Sequence, residues 1–321
     1  MGSGLGKINI FRWNRSPGMP RGVQPGDAAR QWVPGPARFP GFPWARVPLT
    51  LESMGIASVA ITADDYGLDP AVNRGIEALA GAGAVDAVSI MAHADADLAS
   101  LGRLRLTPAR LGAHLVLVEE KPLGRDPALE ALLTDGRLPR SYRSLFSALA
   151  WRPSLAAPLA AEAGLQIERL RGLGVDLAFV NSHQHVHLFP PLWKALRPLF
   201  ESLGLEVRAA RRIRPGPIKQ LLVEGVSSLS LWRWPLERCP WIHPTGIAMA
   251  GRLDLAGAAR AGRGARAALA GGERVELVTH PGFESPGLLA RYAHWGYCWQ
   301  TEWSLLASGA VRRALDEALR A

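Results

Sequence analysis

A chain of 321 residues, 48% hydrophobic and 20% charged, can bury the core of one large α/β domain of roughly 250 residues. The formal net charge of +9 is no argument for nucleic acid: residues 1–53 hold +5 of it, and no aromatic-interleaved basic stripe or base-reading motif accompanies it. Cys239 and Cys298 lack CxxC spacing, which sets aside a disulfide framework or cysteine zinc site, and no apolar run or leader-like opening suggests a membrane span or export, so a cytoplasmic setting is expected.

Residues 1–53 are rich in Pro, Gly, Arg and Trp without strand or helix periodicity, and are expected to be a disordered or non-native extension. Met54 directly precedes the first regular pattern, so translation starting there is an expectation, and residues 54–321 are read as one domain. IASVAIT (56–62) reads as a strand. Asp69 caps the helix that follows, with Pro70 at its first position, Val72, Ile76 and Leu79 on one face, and Gly81 and Gly83 at its stop. Further strands are predicted at 86–91, 111–117, 175–181, 205–210 and 274–280, and helices at about 154–172, 190–203, 254–270 and 302–320. Strands alternating with helices, without an internal repeat, predict an α/β architecture, a barrel or barrel-like parallel sheet.

In such folds ligands gather at the C-terminal ends of strands, where the polar residues of this chain fall. Asp64 and Asp65 follow VAIT. Successive strand residues point to opposite faces, so both carboxylates reach one site only if the chain turns, for which Tyr66-Gly67 offers a place. Adjacent carboxylates can divide labour, one holding a cation while the other takes a proton from water; a solvated or helix-capping pair is the plainer alternative. His114 lies among apolar strand residues and needs a partner if buried. In Ser182-His183-Gln184-His185-Val186-His187 three histidines at spacing two lie on one side of a strand, or, if the chain bends after Ser182, only His183 need be a ligand. His280, before Pro281-Gly282, is a candidate general acid or a turn cap. His93, His243 and His294 are read as structural, and both cysteines as small buried residues. The Trp-rich stretches LWRWPLERCPW and YAHWGYCWQTEW suit a sugar-stacking wall or core packing. Together these residues indicate metal-assisted hydrolysis; mixed carboxylate and imidazole ligands suit Mg, Mn, Zn or Fe without choosing among them.

The segments ITADDYGLDPAVNRGI, LGAHLVLVEEKPL, VNSHQHVHLFPPLW and VELVTHPGF, in that order and at about that spacing, resemble the YdjC-like carbohydrate deacetylases, over roughly residues 57–315. The resemblance implies a distorted β/α barrel that hydrolyses the N-acetyl group of an acetylated sugar or glycolipid with a bound divalent metal, magnesium first, zinc or manganese next. Carried over by motif, it implies Asp65, His114 and His183 as metal ligands, Asp64 as general base and His280 as the acid that protonates the leaving amine. LVLVEEKPL looks closest to the branch associated with hopanoid biosynthesis. Tyr66 stands where Phe is commoner and is expected to keep an aromatic wall; MAHADAD replaces an expected Asn-Gly-like segment near His93, and Gln184 interrupts a longer histidine run. A phosphoesterase, a sugar isomerase or a non-catalytic sugar-binding protein would draw on the same residue types. A homo-oligomer is compatible with the sequence but not specified by it.

Overall fold

The computed structural model describes residues 58–209, 218–233, 241–242, 251–272 and 274–321. The segment 1–53, with the expectation placed on it, lies outside the described residues, as do Cys239 and His243. Among the described residues seven parallel strands close into a barrel in sequence order: β1 (Val59–Tyr66), β2 (Ala87–Met91), β3 (Arg110–Leu115), β4 (Phe179–Ser182), β5 (Glu206–Ala209), β6 (Trp241–Ile242) and β7 (Arg274–Thr279). β1 and β7 pair from Val59↔Val275 to Ala63↔Thr279, which completes the ring. The expected barrel is therefore present, distorted in having seven strands.

Strand interiors and helix faces are apolar for the reasons the sequence suggested. Asp69 accepts the Ala71 N–H at 2.7 Å, Pro70 opens the helix Pro70–Gly81, and Val72, Ile76 and Leu79 are fully buried against the sheet. The helices Ala156–Gly172 and Pro190–Leu203 fall where periodicity predicted, the first extended by a 3-10 turn at Pro153–Leu155. The predicted helix 302–320 is two: Trp299–Ala307 and Ala310–Arg320, broken at Gly309, whose φ of +70° no helix continues through. β6 was not predicted, since two residues show no period.

One close approach ties the barrel rim to the helix after β1. A Cβ on Gly75 would lie 2.9 Å from both the Gly282 Cα and the Phe283 N, so only glycine lets Pro70–Gly81 meet the loop leaving β7. We expect Gly75→Ala to destabilise the fold by about 1–3 kcal/mol through overpacking against backbone, read as a lower Tm.

Candidate metal and catalytic centre

The paired aspartates lie within β1, not after it. Between Ala63↔Val88 and Tyr66↔Ile90, β1 advances three residues while β2 advances two, and Asp65 takes up the extra residue at φ +70°. This bulge, rather than the Tyr66-Gly67 turn expected from the sequence, sends consecutive side chains towards neighbouring parts of one site. Tyr66 is fully buried and its hydroxyl bonds to Glu77 and Ser100, each at 2.9 Å. It is a packing residue, and the expectation of an aromatic wall at this position is corrected.

Asp65, His114 and His183 each offer one ligand atom, and these atoms lie within 4.8 Å of one another. His114 Nε2 and His183 Nδ1 approach Asp65 Oδ1 at 3.2 and 3.3 Å. Yet both Asp65 oxygens and His114 Nε2 are buried without a hydrogen-bond partner. Buried polar atoms in native proteins are almost always satisfied, so this orphaned set fits a cation that three donors share. The fit extends to tautomers. Asn181 Nδ2 donates to Asp64, which as a carboxylate can only accept, so Asn181 Oδ1 must face His114 Nδ1, 2.6 Å away. His114 is thereby held with its proton on Nδ1 and its Nε2 lone pair turned to the site.

Asp64 has a different environment. Arg208 of β5 grips it with two bonds, Nη1 to Oδ2 at 2.5 Å and Nη2 to Oδ1 at 3.0 Å, and Ser89 donates to Oδ1 at 2.5 Å. Arg208 turns its remaining donors to Glu276 of β7 at 2.6 and 2.9 Å. All three charged groups are buried. Burial alone would raise the Asp64 carboxyl, but the Arg208 guanidinium and His114 hold it well below the usual carboxylate range. Asp64 is therefore ionised, 3.8 Å from His114 Nδ1, and its oxygens are committed to protein donors.

The chain does bend after Ser182. His183–Leu188 forms a 3-10 turn with Gln184 and His185 at φ +53° and +55°, which overturns the picture of three histidines on one strand face. Only His183 joins the cluster. His187 is a structural residue, bonded to Ser182 Oγ at 2.6 Å and to the Arg208 carbonyl at 2.8 Å, and burial pushes it down to about 3. Burial would likewise lower His183, but Asp65 and Glu119 raise it to about 10.

His280 follows β7, buried, with its backbone N–H donated to Glu302 at 2.6 Å and Nδ1 unpartnered. Burial depresses its pKa, and the charges of Asp65 and Asp64 offset this only in part. The Tyr297 ring lies 4.7 Å from it. The same segment sets Trp295 4.7 Å from the His183 ring, while Trp299 is core. Within YAHWGYCWQTEW, Trp299 therefore packs in the core while Trp295 lies against the cluster. LWRWPLERCPW lies mostly outside the described residues. Cys298 is exposed and free rather than buried.

A model of YdjC-like proteins matches residues 58–317. The chain belongs to the YdjC-like family. Among its relatives are carbohydrate deacetylases of Oceanobacillus iheyensis, 30% identical over 162 residues, and of Geobacillus stearothermophilus, 31% identical over 157. These matches cover 50% and 48% of this chain and 67% and 60% of the relatives. An Enterococcus faecalis V583 structure, described as a cellobiose-phosphate cleavage protein, superposes with a TM-score of 0.56 at 18% identity, over 82% of this chain and 95% of that one. At that identity the likeness is one of fold. Among the described residues no helix is long and apolar enough to cross a membrane.

The ligand cluster coincides with the three residues implied by motif. Reasoning from the sequence missed Arg208, Glu276, Asn181 and Glu119. A signal existed for the first two: each is a charge inside an apolar strand, EVRA and RVELVT, where an unpaired charge is not tolerated.

Proposed function

We propose that this YdjC-like protein is a metal-dependent hydrolase that removes the N-acetyl group from an acetylated amino sugar, oligosaccharide or glycolipid. The observation that carries the reading is the Asp65–His114–His183 cluster, in which both Asp65 oxygens and His114 Nε2 are buried without a hydrogen-bond partner, beside a carboxylate, Asp64, that is ionised but not part of it. The named activity of the relatives supports the same class of reaction.

Asp65, His114 and His183 would hold the divalent ion, magnesium first, with manganese or zinc as alternatives. Such an ion supplies Lewis acidity and lowers the pKa of water. Asp64 takes the proton of the attacking water, its position fixed by Arg208 and Ser89. Attack on the amide carbonyl gives a tetrahedral oxyanion. His280, on the β7 rim, is the proposed donor to the amine nitrogen as acetate leaves. Burial disfavours its imidazolium and the charges of Asp65 and Asp64 favour it; the proton it gives to the amine nitrogen is replaced over the cycle by the one Asp64 takes from water.

Metal binding should be linked to protons. Without metal, His183 holds a proton up to about pH 10, and a coordinating imidazole must release it. Affinity should then rise with pH, by up to about tenfold per unit across the neutral range. Calorimetry in buffers of different ionisation enthalpy should read about one proton released at pH 7. No release would mean that His183 is already neutral.

The direct test is acetate release from N-acetylglucosamine derivatives and glycolipids by metal-stripped protein reconstituted with Mg, Mn or Zn. Metal-dependent acetate establishes the reaction. Turnover of phosphate esters instead, with no acetate, would move the protein to another class of metal-dependent barrel enzyme.

A further inference from the structure

Glu119 stands on the loop after β3, four residues beyond the strand's last residue, and belongs to no ligand set or proton path described above. Its carboxylate nonetheless makes four side-chain contacts, as many as that of Asp64. Oε2 takes His183 Nε2 at 3.2 Å and Gln184 Nε2 at 2.9 Å; Oε1 takes His294 Nε2 at 3.1 Å and Trp295 Nε1 at 3.2 Å. Trp295 and the Gln184 amide are donors only from these nitrogens, so the group they meet must be an acceptor at both oxygens.

The backbone is shaped for this placement. Glu119 sits at φ +66°, a conformation that disfavours an L side chain, and it is pinned by its N–H to the Pro139 carbonyl at 3.0 Å. Among the described residues five non-glycine residues have positive φ, and three of them surround His183: Asp65 and Glu119 through its ring nitrogens, and Gln184, next to it in the chain, through Glu119. Local strain that recurs around one imidazole marks a geometry that the fold enforces.

His183 turns Nδ1, not Nε2, towards Asp65. For Nδ1 to offer a lone pair, the ring proton must reside on Nε2, and Nε2 faces Glu119. We propose that Glu119 is the positioning residue of His183: it accepts the Nε2–H, fixes that tautomer and sets the ring's rotation, while the Trp295 indole and the Gln184 amide hold Glu119 in turn. This rests on the reading of Asp65, His114 and His183 as a metal site. It gives His183 the counterpart of what Asn181 does for His114, with a charged acceptor that also raises the basicity of the coordinating nitrogen.

The test compares wild type, Glu119→Gln and His294→Ala, each titrated with Zn(II) against a chromophoric chelator and loaded with Co(II) for its visible spectrum. Gln keeps the size of the side chain but replaces one acceptor oxygen with a donor. The expected result is a metal affinity about 10–100-fold weaker in Glu119→Gln, a shifted Co(II) spectrum, and a lower kcat at little-changed KM. His294→Ala removes an exposed donor from Glu119 without touching the His183 contact, and should stay within about threefold of wild type in affinity. Unchanged affinity and spectrum in Glu119→Gln, or an equal loss in both variants, would overturn the proposal; the second outcome would make Glu119 an anchor for the aromatic segment. Wild type that takes up neither Zn(II) nor Co(II) would overturn the metal site itself, and this proposal with it, whereas wild-type binding matched by Glu119→Gln sinks the role of Glu119 alone.

Discussion

Asp64→Asn should lower kcat by about 10²–10⁴ while leaving the bound divalent ion in place, because the substitution removes a proton acceptor but no ligand. Asp65, not Asp64, meets the ring nitrogens of His114 and His183 at 3.2 and 3.3 Å, while Asp64 accepts from Arg208, Ser89 and Asn181, with one bond at Oδ2 that leaves that oxygen a lone pair for a proton. The variant should also lose stability, since an amide nitrogen at position 64 sets a donor against the donors of a buried guanidinium. Metal content by elemental analysis, acetate release and Tm on the same preparation separate these effects. Metal lost in proportion to activity would place Asp64 among the ligands; near wild-type turnover would move the base elsewhere.

The different surroundings of the two aspartates show what the sequence could and could not reveal. Alternation of apolar strands with capped helices predicted a barrel, and helix ends at Asp69-Pro70 and Gly83 followed from local chemistry alone. Asp65, His114 and His183 could be singled out because each stands in or just after a strand, within a recognisable motif. The bulge at Asp65 was not, because a positive φ on a non-glycine residue has no sequence signature and exists only where tertiary contacts enforce it. The same applies to His183–Leu188, where alternate spacing suggested a strand face and two left-handed residues made a turn. Glu119 was in plain view in LVLVEEKPL, yet its partners come from residues 183–184 and 294–295, a separation that periodicity does not read. Long-range polar pairing was the missing information in each case, and Arg208 is its largest instance.

Arg208 joins β5 to β1 and β7 through Asp64 and Glu276, three buried charges carrying one net negative charge. Removing the single cation leaves two carboxylates in a low-dielectric interior, a change that costs about 3–5 kcal/mol in comparable buried pairs. Arg208→Met, which keeps much of the side chain's length, should therefore lower the Tm on the order of 10 °C. The more telling result is in the pH profile. Arg208 is a chief cause of the depressed Asp64 pKa, which contributes stability above the ordinary carboxylate range and loses it as pH falls through the lowered value. Without Arg208, burial pushes the Asp64 carboxyl upward, so its protonation, and the loss of the proposed base, should begin at higher pH. The acidic limb of kcat/KM against pH should move up in Arg208→Met and return towards wild type in Arg208→Lys, which restores a charge without the two-pronged grip. A variant that is merely less stable would lose activity at every pH with its acidic limb unmoved, and that outcome would separate Arg208 from the chemistry and leave it as a strut between strands.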